Sequence, residues 1–123
     1  MNKISNNNPG LVDAVVDGIL EKKGKDIRVL DLRKLESAVA DYFIVCTGNS
    51  STQVDALVDS VDEFAKKLTG ENPISIEGRT NGEWVLMDYA DVVVHIFLPE
   101  TREFYKLEDL WSDADIQIID NEE

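Results

Sequence analysis

The chain has 123 residues with 25 Asp plus Glu, 12 Lys plus Arg and one His, a formal net charge of −13. That length suits one domain with a single hydrophobic core, and an apolar content of 43% argues against global disorder. Nucleic-acid affinity comes largely from cations meeting phosphates, so the charge disfavours DNA, RNA and anionic membrane and favours a basic protein as partner.

Residues 1–9 are polar and Asn-rich and read as a flexible tail. They have neither a signal-peptide apolar core nor the Arg-rich pattern of a transit peptide. Leu11, Val12, Val15, Val16, Ile19 and Leu20 then share one face of a helix, which Gly24 stops after Lys22 and Lys23. Residues 26–32 alternate and predict a strand, and 34–40 predict a loop. Residues 41–47 are β-branched and aromatic, the composition of a central strand buried on both faces. Val54, Leu57, Val58, Val61, Phe64, Ala65 and Leu68 form one stripe at helical period. Ser50 with Gln53 can cap its start, and Gly70 closes it. Residues 73–77 predict a short strand near an edge because of Pro73. Residues 83–88 and 91–98 predict a hairpin turning at Tyr89 and Ala90. Pro99 ends it, and Thr101 opens a last helix with Phe104, Leu107, Leu110 and Trp111 on one side. The order predicts an α/β fold with a mixed five-stranded sheet flanked by helices. Residues 10–112 make the single domain, and 113–123 an acidic, frayed tail.

Cys46 is the only cysteine. It excludes an intrachain disulfide and a Cys-based zinc site, and suits a reducing cytoplasm. The longest apolar runs are too short to span a membrane. No metal or cofactor is expected. The turn Gly48-Asn49-Ser50-Ser51 lies at a strand end and helix start, where free N–H groups can hold a phosphate. A nucleotidyltransferase would follow such a turn with two carboxylates that clamp a metal. None follows here, so a plain helix cap is the better reading. His95 lies in an apolar strand and reads as a hydrogen-bonded structural residue, and Cys46 as a small buried hydrophobe. Charge is uneven: residues 81–123 hold 12 acids and two cations. The same third holds Trp84, Met87, Tyr89, Phe104, Tyr105 and Trp111, divided between core packing and an interface. Apolar anchors ringed by acids suit a protein partner with a basic rim.

Three ordered segments carry a specific resemblance. Asp41-Tyr42-Phe43-Ile44-Val45-Cys46-Thr47-Gly48-Asn49-Ser50 resembles the strand–turn signature of the ribosomal silencing factor family, also called the RsfS or Iojap family. Trp84-Val85-Leu86-Met87-Asp88-Tyr89-Ala90-Asp91-Val92-Val93-Val94-His95-Ile96-Phe97 is similar to its second signature. Arg102-Glu103-Phe104-Tyr105-Lys106-Leu107-Glu108-Asp109-Leu110-Trp111 is similar to its third. The resemblance covers about residues 10–112. Ala90 stands where the family commonly has glycine.

The resemblance implies a nucleotidyltransferase-like fold without the catalytic carboxylate pair, and so no enzyme. It implies a translational repressor that binds the large ribosomal subunit through large-subunit ribosomal protein fourteen. The bound factor would block joining of the small subunit and lower translation under nutrient limitation. On that footing the hairpin is the expected docking surface. Trp84 would be its anchor, and Met87, Tyr89 and Val92 would extend the contact. Asp88, Asp91 and Glu100 would meet partner cations, and Arg102, Tyr105 and Lys106 would flank them. Two alternatives stay open: a metal-dependent nucleotidyltransferase using Ser50, Asp88 and Asp91, and a homodimeric adaptor, since family members can dimerise.

Overall fold

The structure is a computed structural model and describes residues 9–119. Its centre is the strand β2 (Tyr42–Thr47), in which every residue is buried. Phe43 and Val45 face one side of the sheet, and Tyr42, Ile44 and Cys46 the other. β2 runs parallel to β5 (Val92–Phe97), which is also buried throughout. Two such apolar strands side by side, covered on both faces, form the predicted core. β1 (Lys25–Asp31) pairs antiparallel with β2, and β4 (Trp84–Asp88) with β5. β3 (Ser75–Glu77) lies outside β4 at one edge.

The sheet has six strands in the order β3-β4-β5-β2-β1-β6, which corrects the expected five. The sixth, β6 (Asp115–Ile119), comes from the segment read as a frayed tail. It pairs antiparallel with β1 and gives the outer N–H and C=O groups of β1 their partners. Its Ile119 packs against the main core. The acidic flanks masked this short Ile-rich run. Residues 120–123 and the first eight residues lie outside the described residues.

Two helices cover one face. α1 (Pro9–Glu21) buries Leu11, Val12, Val15 and Ile19. α2 (Ser51–Thr69) buries Val54, Leu57, Val58, Val61 and Ala65. They pack closely because Gly18 has no side chain: a Cβ there would sit 3.0 Å from the Ser60 carbonyl oxygen. The Ser60 hydroxyl donates to the Gly18 carbonyl at 2.7 Å. The start of α2 is built as expected, with one shift. Ser50 Oγ accepts from the Gln53 N–H at 3.1 Å, and Gln53 Oε1 accepts from Asn49 rather than Ser50, at 2.6 Å. Gln53 Nε2 also donates to the Lys22 and Lys23 carbonyls, tying the end of α1 to this cap. Gly70 closes α2 in the left-handed region, φ 77°. Leu68 is 59% exposed, so the buried stripe ends one turn before the cap.

The expected last helix is divided in two, α3 (Pro99–Tyr105) and α4 (Leu107–Leu110). Lys106, at φ 50°, takes the left-handed conformation between them, with its N–H bonded to the Arg102 carbonyl. The break turns the predicted apolar side outward. Leu107 alone of α3 and α4 is buried, while Phe104 and Leu110 are 77% and 75% exposed.

The β4–β5 turn is as expected. Ala90 occupies φ 73°, and its N–H donates to Asp88 Oδ1 at 2.7 Å. An L-residue there is strained and glycine is not. Ala90→Gly is expected to stabilise the protein by about 0.5–1 kcal/mol, after the entropy gained by the unfolded chain is set against the relieved strain. Urea denaturation with an unchanged m-value is the check.

Candidate interaction face

Hairpin register decides which side chains can meet a partner. Trp84 pairs with Phe97, Leu86 with His95 and Asp88 with Val93, so these six lie on one face of the sheet. Val85, Met87, Val94 and Ile96 lie on the other face and join the core under α1 and α2. Met87 and Val92 are fully buried and Tyr89 is 5% exposed. This corrects the expectation that those three extend a contact surface: they hold the hairpin from beneath. Burial also pushes the Tyr89 phenol pKa upward.

The face away from α1 and α2 is aromatic. Trp84 is half-buried, stacks on Phe97 at 4.8 Å between ring centroids and leans on Tyr105 at 5.0 Å. Phe104 meets Tyr105 edge-on at 4.9 Å. Beneath them Phe43 meets His95 at 4.6 Å and Trp111 at 5.7 Å, both edge-on. Such pairs prefer these offset and edge-to-face arrangements. The exposed members are Phe104, Tyr105 (52%) and Leu110. Glu100, Glu103 and Lys106, also exposed, belong to the same C-terminal segment. Sequence reasoning found Trp84 and Tyr105. It missed Phe43 and Phe97 as the floor under Trp84, because only the strand register brings them there.

His95 is 3% exposed and accepts a 3.1 Å hydrogen bond at Nδ1 from Trp84 Nε1. The structural reading of this histidine stands, and its role is specific, since it pins the indole. Its proton therefore sits on Nε2, a buried atom with no hydrogen-bond partner. Burial lowers its pKa from 6.5 to about 4, so the ring is neutral at pH 7.

Arg102 turns inward, which corrects its expected place on the flank of the docking surface. Its Nη1 donates to the Thr47 hydroxyl and the Asp26 carbonyl, each at 2.8 Å. Its Nη2 bonds Glu108 Oε2 at 2.7 Å and its Nε bonds Oε1 at 3.3 Å. Burial alone would raise the Glu108 carboxyl, but Arg102 holds it below its ordinary value. This fork clamps α3 and α4 to the ends of β1 and β2. Arg102→Ala is expected to cost about 2 kcal/mol, because a charged hydrogen-bonded group loses its partner in a semi-buried place. The check is thermal denaturation, with Arg102→Lys recovering only part of the loss because it lacks the fork.

A cavity of about 670 Å³ opens beside the clamp. Lys25, Arg28, Arg102 and Lys106 line it, countered by Asp26, Glu103, Glu108 and Asp109. Ser50, Asp88 and Asp91 cannot form one site there. Register places Tyr42 beside Val92 and Thr47 beside Phe97, so Ser50 and the Asp88–Asp91 turn lie at opposite ends of the parallel strands. Strand rise sets that separation at about 17 Å. Among the described residues no group of three or more His, Cys, Asp or Glu could hold a metal. Cys46 is buried, and desolvation pushes its thiol up to about 12.

The family described as "Ribosomal silencing factor during starvation" matches residues 5–123. The ribosomal silencing factor of Bacillus subtilis is 41% identical over 100 residues, spanning 81% of this chain and 83% of its own. The chain belongs to the ribosomal silencing factor family. A crystal structure of a Chromobacterium violaceum protein superposes with a TM-score of 0.77 at 42% identity, covering 83% of each chain. The mouse protein named "Mitochondrial assembly of ribosomal large subunit protein 1" is 32% identical and matches 82% of this chain and 45% of its own length. Relatives of this family are named as silencing factors, regulatory proteins rather than enzymes. The three segments that carry the resemblance fall on β2 with its turn, on the β4–β5 hairpin, and on α3 with α4. Two of them supply the aromatic face directly, and the first supplies Phe43 beneath it.

Proposed function

We propose that this protein silences ribosomes in the cytoplasm by docking on the large subunit through large-subunit ribosomal protein fourteen. Held there, it blocks joining of the small subunit by its bulk, and no bond is made or broken. Family membership supports the ribosome as target, and the name of the mouse relative supports the large subunit. The observation that carries the mode of action is the aromatic face. Trp84 is fixed by His95, Phe97 and Tyr105, with Phe104 and Leu110 exposed nearby, on a chain of net charge −13. Trp84 and Tyr105 anchor the contact, while Asp88, Asp91 and Glu100 face cations of the ribosomal protein. Met87, Tyr89 and Val92 support the hairpin from its buried side, and Lys106 lies at the margin.

Sucrose-gradient sedimentation with purified subunits tests this. The protein should travel with large subunits and reduce the yield of joined ribosomes when small subunits are added. Absence from the large-subunit peak would refute the reading.

A further inference from the structure

Among the described residues no strand pairs with the outer edge of β6, and its design differs from that of a protected edge. Within Asp115–Ile119 there is no Lys, no Pro and no break in register with β1. Those are the usual devices that blunt an edge strand. Ile116 and Ile118 lie on one face, 39% and 62% exposed. The opposite edge strand, β3, is only three residues long.

Charge around β6 selects what can pair there. Residues 113–123 contain five acids and no Lys or Arg. Asp115 stands directly opposite Asp31 across the β1–β6 ladder. Like charges in that position destabilise a sheet. Arg33 takes both oxygens of Asp31, at 2.9 and 2.7 Å. Asp115 has no partner among the described residues. A cavity of about 170 Å³ adjoins the pair, lined by Val29, Asp31, Tyr42, Asp115, Ile116 and Gln117. Tyr42 is 1% exposed, and its hydroxyl has no hydrogen-bond partner. An unpaired carboxylate and a second carboxylate thus share one small cavity at an open edge, with Tyr42 in its wall and Arg33 over the Tyr42 ring at 5.1 Å. Both carboxylates can accept hydrogen bonds from an ammonium group.

We propose that β6 takes up an extended, Lys-bearing segment of a protein partner by strand addition, with one ammonium seated in the cavity between Asp31 and Asp115. Main-chain hydrogen bonds to the free edge give the affinity, and alternate side chains give the selectivity. Ile116 and Ile118 meet aliphatic side chains, and the acids meet the cations between them. A second copy of this chain is the disfavoured occupant, because its β6 would bring another Asp115 and no Lys or Arg to the edge.

The test uses the full chain and a synthetic peptide of alternating Lys and Val, about ten residues long. Calorimetric titration should show saturable binding, and hydrogen exchange should slow at the amides of β6 and not of β3. The same peptide with Glu for Lys should not bind. N-methylation of alternate peptide amides should abolish binding although charge is kept. Asp115→Lys, an exposed substitution, should weaken binding about tenfold. No binding, equal binding by the N-methylated peptide, or no change with Asp115→Lys would each overturn the proposal. So would sedimentation velocity showing that a second copy occupies the edge. None of these readouts involves the ribosome, so their failure leaves the aromatic-face reading to its own test.

Discussion

Trp84→Ala is expected to lower affinity for the large subunit by about 30-fold or more, the scale of losing a central aromatic anchor worth at least about 2 kcal/mol. The geometry explains why this residue outranks its neighbours. Its indole is held on three sides, by the Phe97 ring, the Tyr105 ring and the His95 nitrogen. A side chain already fixed in its bound orientation loses little entropy on docking. Phe104 and Leu110 are more exposed but lie on short helices, where more freedom is lost on binding. Glu100→Ala should change affinity by less than about threefold, as removal of a solvated rim charge does. Co-sedimentation at graded large-subunit concentrations measures both, with circular dichroism confirming that each variant is folded. Trp84→Phe separates two parts of the effect, since it keeps the stack on Phe97 and loses the hydrogen bond. Equal co-sedimentation of Trp84→Ala and the unaltered chain would remove the aromatic face as the docking surface.

The hairpin shows how far the sequence carries. Its two strands and their turn were legible, because turn residues and strand composition are local signals, while the special place of Ala90 came from the family resemblance. Which side each residue faces was not legible. β5 is apolar at every position but His95, and all six are buried, so alternation has nothing to report. Only the partners of β4 assign Trp84 and Leu86 to the open face and Met87 to the core. Arg102 failed for a related reason. Its partners, Thr47 and the Asp26 carbonyl, lie far back in the chain, and no spacing rule connects them. β6 was missed because a five-residue strand between acids looks like solvated tail until an unpaired neighbouring strand is known to lie beside it. The resemblance to a known family supplied the fold and the target. It did not distinguish the residues that touch a partner from those that only hold the hairpin up.

Acid should loosen this protein earlier than its carboxylates require, and His95 is the reason. Its folded pKa of about 4 lies below the ordinary 6.5 because burial penalises the charged ring. Between those values the unfolded chain holds a proton that the folded one does not, so unfolding is favoured as pH falls. The associated stability is complete above pH 6.5, is lost progressively below it, and stops falling near pH 4. The whole window corresponds to about 3 kcal/mol, of which about 2 kcal/mol should be gone by pH 5. The upper part of this window belongs to one group, since the chain has a single His and ordinary Asp and Glu titrate lower. The sign is diagnostic as well. A chain of net charge −13 gains by losing self-repulsion as acid is added, so general charge relief would raise stability over the same range. Urea denaturation at intervals from pH 7 to 5 should therefore show a fall for the unaltered chain. His95→Gln, whose amide oxygen can still accept from Trp84 Nε1, should show none. In the folded protein the ring stays neutral through this range, so the Trp84 hydrogen bond is kept and native Trp84 fluorescence should change only near pH 4, below the range in which stability falls. A flat profile for the unaltered chain, or an equal fall in His95→Gln, would show that the buried imidazole is not the group that responds.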